Sequence, residues 1–230
     1  MANLLIYDLT SDSEYGTDLG RAIQELARYR DVKFQPEPGE LNSQMRQRAM
    51  DLVQRYYNPS RKQVRADLFL DHFARRLQDR INSGESTYAE IVNYQRVFLL
   101  DQDIHTSETN WVFGFFQQRG PHLRVLISSK ARITSSQHAF DHLIHELGHM
   151  FGAPSDGRSN TNQHLGLHCS NPLCVMQQKD TVASAKAYVE ARSKANAPVF
   201  CSQCSVDLII SGIREGSPLP EETLNKLLGK

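Results

Sequence analysis

The chain has 230 residues, enough for one sizeable core or at most two small ones. Its 26 basic and 26 acidic residues cancel, which speaks against a nucleic-acid or anionic-membrane binder, since such proteins carry a basic excess. No apolar run approaches the length needed to cross a bilayer.

Met1 to Glu14 holds a short apolar run with no basic start, and Asp8 interrupts it early. It reads as a first strand and not as a signal peptide. A cytoplasmic protein is expected, and there four cysteines serve more readily as metal thiolates than as disulfides. Leu4 to Leu9 suits a buried strand, Asp18 to Arg30 has apolar residues at helical spacing, and Val32 to Gln35 is strand-like up to Pro36 and Pro38. This β-α-β order predicts parallel pairing within a mixed sheet. Helices are expected over Leu41–Tyr57 and Val64–Ile81, their many Arg and Gln residues facing solvent. A short helical turn over Tyr88–Tyr94 and a strand over Val97–Leu100 follow. Trp111–Phe116 and Leu123–Ser128 then read as a hairpin across a Gly-Pro turn. No repeat is present, and nothing requires a second domain.

The chemistry concentrates in His145-Glu146-Leu147-Gly148-His149. Histidines four apart on a helix project from one side and can close on one metal ion. The glutamate between them is placed to take a proton from water, which is the pattern of a zinc hydrolase. Thr134 and Gln137 fit a capping box that starts the helix near Ser135. At 100° per residue, His138, His142, His145 and His149 share one face. Phe140, Leu143, Ile144, Leu147 and Phe151 lie opposite, with Glu146 at the border. His138 and His142 are given supporting or surface roles. The competing reading is an amphipathic helix whose exposed side happens to be rich in histidine.

A catalytic zinc usually keeps three protein ligands, so a third is expected downstream. Gly152 can end the helix in a left-handed turn and bend the chain back. The metzincin pattern would next place a histidine where Ser155 stands. Cys169-x4-Cys174 and Cys201-x-x-Cys204 have the spacing of a closed four-thiolate zinc site, which would be structural because no position remains for water. Disulfides or free thiols are the alternative.

Taken together, His145-Glu146-x-x-His149-x-x-Gly152, His168, Cys169-x4-Cys174-x-Met176 and Cys201-x-x-Cys204 resemble the archaemetzincins, a family of zinc metallopeptidases. The likeness spans residues 145–204. Weaker traces occur at Leu100-Asp101-x-Asp103-Ile104 and Asn110-Trp111-Val112-Phe113-Gly114, with nothing diagnostic before about residue 95. The resemblance implies an α/β (α+β) fold, a single metzincin-like catalytic domain over residues 1–230. Residues 1–134 would form a twisted mixed sheet and helices, 135–152 the active-site helix, 153–167 an inserted loop, and 168–230 a Met-turn with a C-terminal helical part clamped by the four-cysteine zinc.

It further implies two zinc ions. One is catalytic, on His145, His149 and His168 with Glu146 as base; the other is structural, on Cys169, Cys174, Cys201 and Cys204. Met176 would be an apolar floor under the catalytic zinc. Fifteen residues separate Gly152 from His168, so His164 competes as third ligand. The stretch from Met176 to Cys201 also exceeds the family's length, and Asp180–Ala195 looks helical within it. A thermolysin-like site with Glu190 as third ligand is a further alternative. Leu123–Ser128 would be an edge strand on which an extended peptide could pair. The implied activity is hydrolysis of peptide bonds by a Glu-assisted water, acting on peptides or proteins, with no nucleic-acid or membrane partner. The alternative from another class is a zinc-stabilised binding or regulatory protein whose hydrolytic site is latent, with residues 153–167 as its lid.

Overall fold

Apolar strands set the first layer of the structure, a computed structural model that describes residues 2–11, 13–35, 39–85, 94–119, 123–163 and 166–227. In chain order the elements begin β1 (Ala2–Asp8), α1 (Ser13–Leu26), β2 (Val32–Gln35), α2 (Gly39–Tyr56), β3 (Tyr57–Asn58), β4 (Gln63–Arg65) and α3 (Ala66–Asn82). Then come β5 (Tyr94–Leu100), β6 (Asp103–His105), β7 (Gly114–Arg119) and β8 (Leu123–Ser129). The second half holds α4 (Ser136–Met150), β9 (Thr161–Asn162), β10 (His168–Cys169), α5 (Val182–Ala195), α6 (Ser202–Arg214) and α7 (Glu221–Leu227). Two compact units result, one of residues 2–16 and 33–132, the other of residues 17–32 and 133 onward.

In the first unit five strands lie in the order β2-β1-β5-β8-β7. β1 and β8 run parallel to β5, and β7 returns antiparallel on β8, so the mixed sheet and the hairpin are both as expected. The hairpin's turn and residues 88–93 of the expected helical turn lie outside the described residues. β5 is buried in every residue after Tyr94, as a central strand covered on both faces must be. Phe98 stacks on Tyr7 with ring centres 4.7 Å apart and meets the edges of Phe69 and Phe73 at 5.0 and 4.8 Å. Those two rings stand four apart on α3, whose apolar stripe continues through Leu70 and Leu77.

Two expectations are corrected here. Val64 and Arg65 belong to a strand and not to the following helix, because β4 pairs with β6 and places Val64 beside Ile104. Both side chains are fully buried there, and an apolar residue one step before a helix fits the helical period as well. Leu123–Ser128 is not an edge strand: β8 has β5 on one side and β7 on the other. Among the described residues the edge beyond it is β7.

The second unit is built on α4. The expected box between Thr134 and Gln137 does not form. Ser135 is the N-cap, its hydroxyl accepting the His138 N–H at 3.2 Å, while the Thr134 hydroxyl lies 3.2 Å from the His138 ring. Ser136 donates to Asp18 of α1 at 2.6 Å, and Arg21 lies over the Phe140 ring. On another side Asp141 forms a buried ion pair with Arg192 of α5, the helix anticipated over Asp180–Ala195. The helix is therefore buried nearly all round. His138 and His142, at 3% and 7% exposure, are not surface residues. At the far end Gly152 takes φ +91°, and the N–H groups of Gly152 and Ala153 return to the carbonyls of His149 and Gly148. This is the left-handed helix stop that Gly152 promised.

Phe98→Ala should cost about 3–5 kcal/mol, the usual loss for a fully buried ring, read as a shift in the denaturant midpoint. A loss below about 1 kcal/mol would mean that Phe98 does not centre this core.

Candidate metal centres

α4 places His145 and His149 one turn apart, and β10 brings His168 to meet them. His149 Nε2 lies 3.1 Å from His145 Nε2 and 3.2 Å from His168 Nε2. Three nitrogens around one tetrahedral zinc, each about 2.0–2.1 Å from it, would stand about 3.3 Å apart. The proton positions agree. His145 Nδ1 donates to the Val175 carbonyl at 2.7 Å and His168 Nδ1 to the Gly166 carbonyl at 3.1 Å, so each Nε2 presents a lone pair. Lone pairs held this close repel unless a cation lies among them. Burial and the neighbouring rings hold His145 well below the usual histidine range and His149 down at about 3, which keeps both neutral, as ligands must be.

Glu146, 8% exposed, is pushed up to about 8 by burial. Its Oε1 lies 3.7 Å from Nδ1 of His142, the residue one turn before it. Gly148 matters for a different reason: a Cβ there would overlap the Met176 sulfur and come within 3.3 Å of Phe200. Fully buried Met176 thus presses on the backbone between the two helix histidines, where the resemblance put an apolar floor.

The four cysteines form a second group, with all sulfurs within 4.8 Å of one another. Cys169 and Cys201 Sγ are 3.7 Å apart, far beyond a disulfide bond and close to the roughly 3.8 Å expected across a tetrahedral zinc–thiolate site. All four are free. The Asn171 and Cys201 N–H groups donate to Cys169 and Cys174 sulfurs at 3.5 and 3.4 Å. A hydrogen bond from the Cys204 thiol holds Cys174 down at about 5. The same bond pushes Cys204 up, and burial raises Cys201. Four converging sulfurs, among which ionising Cys174 opposes ionising Cys201 and Cys204, are what a divalent cation resolves. The donors of both groups therefore fit zinc.

Glu190 is exposed on α5 and belongs to neither group, which removes the thermolysin-like arrangement from the described residues. His164 lies outside the described residues. Several partners of the site gave no signal in the sequence. The Val175 carbonyl that orients His145 also accepts from Lys179 Nζ at 3.3 Å. That ammonium sits over the Tyr188 ring, and burial lowers it to about 7. Arg158 and Asp207 likewise border the cysteines. An isolated Lys or Arg in a polar stretch has no periodicity or spacing to reveal it.

No family model matches the chain. A curated archaemetzincin from Nanoarchaeum equitans (strain Kin4-M) is 29% identical over 164 residues, covering 71% of this chain and 72% of that protein. Among solved structures, an archaemetzincin from Methanopyrus kandleri superposes with a TM-score of 0.55 at 20% identity, over 91% of this chain and 94% of its own. One from Archaeoglobus fulgidus, complexed with malonate, gives 0.53 at 21%, over 89% and 99%. A zinc-dependent peptidase from Methanocorpusculum labreanum gives 0.54 at 18%, over 90% and 100%. Sequence likeness over 71% of its length and a shared fold point the same way: this chain is similar to the archaemetzincins in sequence and in fold.

Proposed function

We propose that the chain is a zinc-dependent peptidase that hydrolyses peptide bonds in peptides or proteins. The observation that carries this reading is the convergence of three histidine Nε2 atoms beside a helix that also carries the buried carboxyl of Glu146. The names of the relatives supply the reaction class, one of them being a zinc-dependent peptidase.

His145, His149 and His168 would hold the catalytic zinc, which supplies a Lewis acid for the scissile carbonyl and lowers the pKa of water at the site. Glu146 would accept the proton of the attacking water and pass it to the departing amine nitrogen. The Val175 and Gly166 carbonyls fix the two ring orientations, and Met176 holds the helix backbone from below. Cys169, Cys174, Cys201 and Cys204 would hold a structural zinc with no open position.

Glu146→Gln should keep wild-type zinc content and lose about a hundredfold to ten-thousandfold in kcat on a peptide library. Unchanged turnover would remove Glu146 as the base. Wild-type protein that binds zinc at both groups yet cleaves nothing would favour the regulatory alternative. Elemental analysis should find two zinc ions per chain, one for each donor group. His168→Ala should lose one of them while Glu190→Ala keeps both; the reverse pattern would overturn the three-histidine site.

A further inference from the structure

The chain from Ala153 to Gln163, expected to be an exposed loop, is fastened to the thiolate group through one side chain. Arg158 Nη2 donates to Cys169 Sγ at 3.4 Å and to Cys204 Sγ at 3.5 Å. Its Nη1 reaches Cys204 Sγ at 3.5 Å and pairs with Asp207 of α6. The guanidinium is 13% exposed and the Asp207 carboxylate 8%, so the pair is sheltered from water. Asp207 also accepts the Ser155 N–H at 3.0 Å and the Ser155 hydroxyl at 2.6 Å, which anchors the loop's first turn to the same carboxylate.

From Arg158 the fastening runs on to the third histidine. The Arg158 carbonyl accepts from the Thr161 hydroxyl at 2.9 Å, and Thr161–Asn162 then pair antiparallel with Cys169 and His168. The Asn160 carbonyl takes both the N–H and the hydroxyl of Ser170 at 2.9 Å. Four thiolates around a divalent cation leave two negative charges, and a forked guanidinium can meet sulfur and carboxylate at once.

We propose that Arg158 is a positioning residue that couples the two metal centres: it reads the charged thiolates with its guanidinium and, through β9, holds the strand that presents His168. The proposal rests on the two-zinc reading given above. It assigns the insertion the role of a brace, its hydrogen bonds going to α6 and β10. Lysine can substitute only in part, because an ammonium lacks the planar fork that spans two sulfurs and a carboxylate.

The test compares wild type, Arg158→Ala and Arg158→Lys, using cobalt for the thiolate group and zinc with a competing chelator for the histidine group. In Arg158→Ala the thiolate-to-cobalt charge-transfer band should persist but move to lower energy, because sulfur loses its N–H donors. Zinc affinity at the histidine group should fall by about 10–100-fold, the usual cost of removing a residue that orients a ligand. Arg158→Lys should fall between wild type and Arg158→Ala in both readouts. If Arg158→Ala does not fold, a wild-type band and a wild-type affinity in Arg158→Lys overturn the proposal. The same holds for Arg158→Ala if the band is unmoved and the affinity unchanged. Wild-type protein that binds no zinc at its histidines would instead sink the metal-centre reading itself.

Discussion

The peptide bond between His168 and Cys169 joins the two donor groups, and much of the second unit depends on it. Neighbouring Cα atoms are held about 3.8 Å apart, so whatever fixes Cys169 also fixes His168 to within a side-chain rotation. The Cys169 N–H donates to the Met176 carbonyl at 2.8 Å, which closes residues 169–176 into one loop. That loop meets α4 at two further points, the Val175 carbonyl on His145 and the Met176 sulfur against Gly148. A segment with so little regular pairing cannot hold these positions through backbone ladders. Four sulfurs drawn onto one cation would supply the rigidity, so folding of residues 168–214 and metal binding would become one event.

The same segment explains why α4 can bury so many polar groups. Such groups are costly unless each meets a partner, and the structure supplies several. Asp141 meets Arg192, His138 meets Thr134 and the N-cap Ser135, and His145 meets Val175. Arg30, fully buried, donates to the Phe151 carbonyl at 3.2 Å and so satisfies an end of the helix that water cannot reach. Burial of this kind leaves His145 and His149 neutral. The electrostatic state needed to bind a cation is thus a product of packing.

The candidate donor atoms were legible in the sequence because metal ligation constrains residue type and spacing together. His145, Glu146 and His149 follow the helical repeat, and the four cysteines come in two short-range pairs. The candidate ligand His168 was legible only through its neighbour Cys169, since fifteen residues separate it from Gly152 where the metzincin pattern has two. Contacts made across long stretches of chain were not legible. Arg158 meets Asp207 and Cys204 from more than forty residues away, and Lys179 acts on a carbonyl that any residue type could provide. In the sheet, strand identity was readable from apolar runs, but strand order was not: Leu123–Ser129 looks the same whether internal or at the edge. Val64 illustrates the remaining failure, where a helical period continued back into residues that pair with β6.

X-ray absorption at the zinc edge tests the central claim most directly, because it reads the atoms around the metal without mutation or substrate. Two centres of the proposed kinds predict a mixed first shell, with nitrogen or oxygen at about 2.0–2.1 Å and sulfur at about 2.3 Å, averaging two sulfurs per zinc. A shell of sulfur alone, or of nitrogen and oxygen alone, would contradict the pairing of a three-histidine centre with a four-thiolate one.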